Sequence, residues 1–170
     1  MPMMVQYCPY MSKPTPFIRN EGEGEHLWFA GGGVFTMKAT AAETGGAFMM
    51  LEDRVVRGKT TPMHLHPEVD ELVYVLDGEI VVHIEGKEER VGKGGLFFAP
   101  RGCAHSFLVT SETAHLLALQ TPGSGEEFYR AVSDPTTSLA DASRPPDLAR
   151  LRAGAAQSPS IELLGPPPFK

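Results

Sequence analysis

The sequence has few cysteines, no long apolar run and no cluster of positive charge. Only two of its 170 residues are cysteine, Cys8 and Cys103, which is too few for a disulfide framework. No stretch of 18 apolar residues occurs, so we expect no transmembrane helix. Residues 1–20 lack the apolar core and small-residue cleavage site of a secretory signal. We therefore expect a cytoplasmic protein that does not associate with membranes.

The charge balance excludes one large class of partners. Fifteen Lys and Arg residues stand against 21 Asp and Glu residues, which gives a formal net charge of −6. A nucleic-acid-binding domain needs a basic face to meet the phosphate backbone, and no segment of the chain supplies one. We therefore expect no nucleic-acid partner.

Glycine and proline, in contrast, are abundant. The chain has 18 glycines and 15 prolines, which favours many short elements joined by tight turns over a bundle of long helices. Apolar runs are short and recur every eight to twelve residues between positions 46 and 122, as in an antiparallel sandwich or barrel. One such run, 72–76, ends at Asp77-Gly78, a dipeptide that predicts a hairpin with the following strand, 79–84.

The chain divides into three regions by composition. Residues 1–45 contain two short predicted strands around Gly31–Gly33, and residues 46–122 contain the predicted barrel core. Residues 123–170 form a helical and Pro-rich extension that we expect to pack on the barrel. In it, 126–132 and 147–156 have helical patterns, and we expect Leu148, Leu151 and Ala155 to face the barrel.

Four residues have the character and spacing of a metal site. His64 and His66 share one face if their segment is extended, because alternate residues of a strand point the same way. Glu71 begins the next predicted strand, and His105 heads a later one. Three imidazoles and one carboxylate suit Fe, Mn, Co, Ni, Cu or Zn. His83 is expected to point the other way and is a poor ligand candidate.

The spacing of these residues resembles the two motifs of the cupin superfamily. The first motif is matched by Gly58, His64, His66, Glu71 and Gly78, and the second by Gly94, Pro100, Gly102 and His105. Two positions depart from the pattern: Gly95 stands where an Asp is common, and Val109 where an Asn is common. The resemblance implies an all-β cupin barrel, a double-stranded β-helix or jelly roll, with short flanking helices in the C-terminal segment. It also implies one divalent transition metal ion held by His64, His66, Glu71 and His105.

Among cupins, the chain looks most like the small single-barrel, quercetinase-like dioxygenases. That likeness implies a metal-dependent dioxygenase acting on a small enolic or phenolic, flavonol-like compound. Glu71 has a second expected role, since a carboxylate at the metal can take a proton from the substrate. Cupins are often dimers, so we expect a homodimer. The apolar residues predicted to line the substrate pocket are Phe48, Met50, Met63 and Phe107.

Two other functions are compatible with the same residues. One is a non-redox isomerase, lyase or cyclase that uses the metal only as a Lewis acid. The other is a non-catalytic cupin that binds a small molecule. Cupin-type regulators usually carry a helix-turn-helix domain, and the segment after residue 122 contains no basic recognition helix. A transcription factor is therefore not expected.

Overall fold

The computed structural model describes residues 13–170, so Cys8 and the first twelve positions of the N-terminal region lie outside the described residues. The described chain is built from short strands with two short α-helices near its C-terminal end. Its strands are β1 (Glu25–Phe29), β2 (Val34–Ala39), β3 (Met49–Val56), β4 (Met63–Leu65), β5 (Asp70–Asp77), β6 (Glu79–Ile84), β7 (Lys87–Gly92), β8 (Leu96–Ala99), β9 (His105–Val109), β10 (Thr113–Thr121), β11 (Ser133–Pro135) and β12 (Glu162–Gly165). The helices are α1 (Glu126–Ala131) and α2 (Leu148–Gln157).

Two antiparallel sheets form the barrel. The larger sheet has the order β11-β1-β2-β3-β10-β5-β8, and the smaller has the order β12-β4-β9-β6-β7. Their inner faces meet in one apolar cluster, to which β3, β5, β8 and β10 contribute from one sheet and β6 and β9 from the other. The predicted all-β jelly roll with short C-terminal helices is confirmed.

Side chains alternate along these strands as a two-sided sheet requires. In β3 the buried residues are Met49, Leu51, Asp53 and Val55, and the residues between them are half-buried. β5 alternates in the same way, with Glu71, Val73 and Val75 buried. Since alternate residues share a face, Asp53 and Glu71 both lie on faces that are otherwise apolar.

The predicted hairpin at Asp77-Gly78 is wrong. β5 pairs with β10 and β8, whereas β6 pairs with β7 and β9, so the chain crosses from one sheet to the other at this turn. Gly78 has φ 84, and a Cβ there would lie 2.4 Å from the carbonyl oxygen of Thr113. The glycine therefore allows a tight corner between two sheets. The hairpin that β6 forms is instead with β7, through the turn at Glu85-Gly86.

The N-terminal and C-terminal regions extend both sheets. β2 pairs with β3 and β12 pairs with β4. In α2, Leu151 and Ala155 are buried, as expected. Leu148 is 48% exposed, which corrects its expected packing: it is the first residue of α2 and lies at the rim of a surface cavity described below. No helix formed by residues 13–170 is long and apolar enough to span a bilayer.

Candidate metal centre

The structure brings together the four residues that the motifs single out. His64 lies in β4, His66 just after it, Glu71 in β5 and His105 at the start of β9. One potential ligand atom from each lies within 4.8 Å of the other three, and all four side chains are buried. His64 and His105 are direct partners in the β4–β9 register. The barrel interior thus holds a compact cluster of three imidazoles and one carboxylate.

Backbone carbonyls orient all three imidazoles. The Nδ1 atoms of His64, His66 and His105 lie 2.8, 2.8 and 2.9 Å from the carbonyl oxygens of Pro62, Ser160 and Cys103. A carbonyl oxygen only accepts, so each Nδ1 carries the proton and donates it. Each Nε2 lone pair is then available to a metal ion, which is the arrangement found around metal-bound histidines.

The contact between Glu71 and His105 fits a bound cation. Glu71 Oε2 lies 2.8 Å from His105 Nε2 and 3.7 Å from His66 Nε2. A carboxylate oxygen and an imidazole lone pair repel each other at this distance unless a proton or a metal ion is shared between them. Neighbouring ligands of an octahedral ion with bonds of about 2.1 Å are about 3 Å apart. The donor set and its spacing therefore suit a divalent transition metal ion.

The ionisation states of His64 and Glu71 favour the same conclusion. Burial, and then the neighbouring His105, lower the pKa of His64 to about 3. Burial alone would raise the pKa of Glu71, but the adjacent His105 and His66 imidazoles hold it well below its ordinary value. A neutral imidazole and an ionised carboxylate are the forms that bind metal.

Gln120 is a member of the site that the sequence reasoning missed. Its Nε2 lies 2.9 Å from Glu71 Oε1, 2.9 Å from the Tyr129 hydroxyl and 3.3 Å from His66 Nε2. It is completely buried and pairs with Glu71 in the β10–β5 register. Alternation along β10 from Ala114 could have indicated its inward position.

Two further contacts join the turn before β9 to the segment between β4 and β5. The Gly102 N–H donates to the carbonyl oxygen of His66 over 2.7 Å, and Gly102 has φ 77, which glycine adopts without strain. Arg101 donates from its backbone N–H and its guanidinium to the carboxylate of Asp70, at 2.8 to 3.1 Å. The turn before β9 is therefore held against the residues that flank His66 and Glu71.

A narrow cavity of about 70 Å³ opens onto this cluster. We call it the inner cavity. His64 and Glu71 are in its wall, together with mostly apolar side chains that include Phe107. Phe48, Met50 and Met63 are outside its lining. Met50 is outside the lining because side chains alternate along β3: Met49 and Leu51 point to the interior, and Met50 points away from it.

Asp53 and Lys59 are the other charged residues of the inner cavity. Asp53 is 6% exposed. The Lys59 ammonium donates to the carbonyl oxygen of Gly31 and lies 5.0 Å from the centre of the Phe29 ring. Burial raises the pKa of Asp53 and lowers that of Lys59, and the charge of each residue opposes the shift in the other.

A larger cavity of about 720 Å³ lies outside the inner one. We call it the vestibule. It lies among the glycine turn 31–33, the segment 56–60, and the C-terminal residues 142–152 and 163–167. Both cavities share a boundary that includes Gly31, Lys59, Pro62 and Leu151. The charged residues of the vestibule wall are all cationic: Arg57, Lys59, Arg144 and Arg152.

Comparison with known proteins identifies the fold family. Residues 52–119 match the family described as "Cupin domain". Quercetin 2,3-dioxygenase from Bacillus subtilis (strain 168) is 26% identical over 121 residues, which cover 71% of this chain and 36% of that protein. An uncharacterized protein from Aquifex aeolicus (strain VF5) is 36% identical over 59 residues, 35% of this chain and 49% of that one. The chain thus spans about a third and about half of the lengths of these two relatives.

Solved structures show the same barrel. A RmlC-like cupin from Shewanella frigidimarina NCIMB 400 superposes with a TM-score of 0.55 at 19% identity, covering 64% of this chain and 92% of that one. KdgF from Halomonas sp. superposes with a TM-score of 0.50 at 24% identity, covering 54% and 79%. At these identities the likeness concerns the fold. Together with the buried His-His-Glu-His cluster, these matches identify one cupin domain, matched over residues 52–119, in the part of the chain that the structure describes.

Proposed function

We propose that this cupin is a metal-dependent dioxygenase acting on a small enolic or phenolic, flavonol-like compound. The observation that carries the proposal is the buried cluster of three imidazoles and Glu71 at the end of an apolar cavity. The similarity to quercetin 2,3-dioxygenase from Bacillus subtilis supports the choice of reaction. A site meant only for structure would instead be closed and typically rich in thiolates.

The four clustered residues His64, His66, Glu71 and His105 would hold one divalent ion, Fe, Mn, Ni, Cu, Co or Zn. Such an ion would supply Lewis-acid polarisation of an enolate or phenolate oxygen, and, if redox-active, electron transfer to dioxygen. Nitrogen and oxygen donors alone do not select among these metals, because the affinity order is similar at any such site. The apolar wall formed by Phe107, Val73 and Leu116 would exclude water from the bound substrate.

Glu71 is the residue we assign to proton transfer. Its carboxylate is ionised and faces the inner cavity, so it can accept the proton of an acidic enol or phenol. Gln120 fixes Oε1 through a 2.9 Å hydrogen bond, which leaves Oε2 directed at the imidazole cluster. The substrate oxygen would thereby become an anion at the place where a cation is held.

Metal analysis of freshly purified protein, coupled to an O₂-consumption screen over flavonols and 1,3-dicarbonyl compounds, tests this function. We expect stoichiometric Fe, Mn, Co, Ni or Cu and O₂ uptake with at least one compound, both lost in His105→Ala. Stoichiometric zinc without O₂ uptake would overturn the proposal in favour of a non-redox isomerase, lyase or cyclase. Absence of a bound metal would favour a non-catalytic binding protein.

A further inference from the structure

The inner cavity contains a second polar site, away from the four clustered ligands. Its wall carries two further neutral polar side chains, Thr61 and Tyr129, and both already have partners. The Thr61 hydroxyl accepts from the backbone N–H of Phe107 over 3.0 Å, and the Tyr129 hydroxyl accepts from Gln120. The groups with remaining hydrogen-bonding capacity are Asp53 and Lys59.

Asp53 is a charged residue on a strand face that is otherwise apolar. It follows Met49 and Leu51 on the buried face of β3, and its direct neighbours in the sheet are Phe35 and Leu116. Within residues 13–170, its Oδ1 is buried without a hydrogen-bond partner. A buried carboxylate without partners is costly, so this position points to a ligand that satisfies it.

Lys59 lines the same cavity, and its ammonium group has N–H donors that are not used within the protein. An ammonium group has three N–H donors. The protein partners of Lys59 Nζ among the described residues are the carbonyl oxygen of Gly31 and the Phe29 ring. No ion pair within 4.0 Å joins Lys59 to Asp53, so their charges interact over a longer distance.

We propose that Asp53 and Lys59 together bind a hydroxyl group of the substrate, at a position different from the oxygen that meets the metal. A hydroxyl oxygen accepts from the Lys59 ammonium while its own hydrogen is donated to the Asp53 carboxylate. An ether or a hydrogen atom at that place cannot make both bonds. The preferred substrates are therefore compounds with at least two hydroxyl groups on an apolar frame. This inference rests on the proposed function only in placing the substrate in the inner cavity.

The test measures binding, not turnover. Dissociation constants are measured by calorimetry without O₂ on the metal-loaded full chain, for two pairs of probes. The first pair is 3-hydroxyflavone and its 4′-hydroxy derivative; the second is 4-methoxyphenol and hydroquinone. We expect the second member of at least one pair, which carries the additional free hydroxyl group, to bind about tenfold more tightly. Without that hydroxyl group the buried polar groups of Asp53 and Lys59 stay unpaired.

Two isosteric variants identify the groups responsible. In Lys59→Met and in Asp53→Asn, the preference should fall below about threefold, while the affinity for the first member of the pair stays within about twofold of wild type. Lys87→Met, at the exposed start of β7, is the matched control and should keep the full preference.

Several outcomes would overturn the inference. The first is a preference for the hydroxylated probe that persists in both Lys59→Met and Asp53→Asn. The second is a wild-type protein that shows no preference in either pair of probes. The third is a variant that loses affinity equally for both probes of a pair and also has a lower melting temperature. The last would mean that Asp53 and Lys59 only link β3 to the loop that follows it. A different result separates the two proposals. If flavonols do not bind, but hydroquinone binds more tightly than 4-methoxyphenol and both variants remove this difference, the hydroxyl site is supported and the flavonol-like substrate is contradicted.

Discussion

Gln120 donates a hydrogen bond to Glu71 Oε1 across the β10–β5 register, at 2.9 Å. The same amide nitrogen lies 2.9 Å from the Tyr129 hydroxyl. One uncharged side chain thus connects the carboxylate of the metal cluster to the aromatic group formed by α1 and the N-terminal strands. The orientation of Glu71 depends on it.

Replacing Gln120 by Leu should weaken metal binding by about 10- to 100-fold, as is typical when a group that orients a ligand is lost. Competition with a chromogenic chelator measures the change. Tyr129→Phe leaves the hydrogen bond from Gln120 to Glu71 in place, so its metal affinity should stay within about threefold of wild type. Gly125→Ala should act in the direction of Gln120→Leu, because its Cβ would lie 2.0 Å from Gln120 Oε1. Unchanged affinity in Gln120→Leu would contradict the assigned role.

Removing an imidazole from the cluster should abolish stoichiometric metal binding, as measured by elemental analysis after dialysis. We expect this for His64→Ala and for His105→Ala, since each loses one of four donors. His83→Ala is the matched control: His83 lies on β6 next to Glu88 of the exposed β7, outside the cluster. Full occupancy in His64→Ala would show that the site is built from other residues.

Glu71→Gln separates the role of Glu71 as a ligand from its role as a base. The variant keeps the size and one oxygen donor but loses charge and basicity. Turnover per bound metal should fall by about 10²- to 10⁴-fold, the usual contribution of a general base. Metal content and activity are measured on the same sample. Wild-type turnover at full occupancy would reduce Glu71 to a ligand.

The docking of α2 should depend on one leucine and not on its neighbour one turn away. Leu151 is 5% exposed and Leu148 is 48% exposed. Leu151→Ala should therefore lower the free energy of unfolding by about 2–5 kcal/mol, whereas Leu148→Ala should change it by less than about 0.5 kcal/mol. Urea denaturation followed by circular dichroism measures both. Similar losses in the two variants would contradict this packing.

An ion pair near the N-terminal side of the barrel should give a pH-dependent stability. Hydrogen bonds from Arg19, and then from Thr40, hold the pKa of Glu43 at about 2, below its ordinary value of 4.5. The folded state then favours the ionised carboxyl, so its stabilisation is fully present above pH 4.5 and is lost as the pH falls towards 2.

Glu43→Gln should accordingly be less stable than wild type at neutral pH, and the difference should shrink between pH 5 and pH 2. Thermal melting of both proteins across this range measures it, with Glu112→Gln on an exposed loop as the control. A difference that stays constant over the range would mean that the ion pair does not stabilise the fold.

The motif residues made most of the fold and the metal cluster predictable from the sequence. His64, His66, Glu71 and His105 converge because short-range spacing fixes their place on strand faces. The strands themselves follow from apolar runs between turn residues. Gly58 illustrates why the spacing is informative: its φ of 85 marks the turn that leads the chain into β4.

Features that depend on long-range pairing could not be derived in the same way. The turn at Gly78 has the composition of a hairpin, but the twist and closure of the barrel send β6 to the opposite sheet. Gln120 resembles any polar residue at a strand end until the register places it beside Glu71. Met50 is apolar but lies on the outward-facing row of β3. The homodimer, the cytoplasmic location and the boundaries of the three regions stay predictions.

The contact between His66 and Ser160 joins residues that are 94 positions apart. β12, which follows Ser160, also pairs with β4, the strand that carries His64. A chain that ends at β9 contains all four residues of the metal cluster, but it lacks the carbonyl oxygen that orients His66 and the strand that pairs with β4. The complete hydrogen-bonded surroundings of the metal cluster therefore include residues 160–165, which are far from it in sequence.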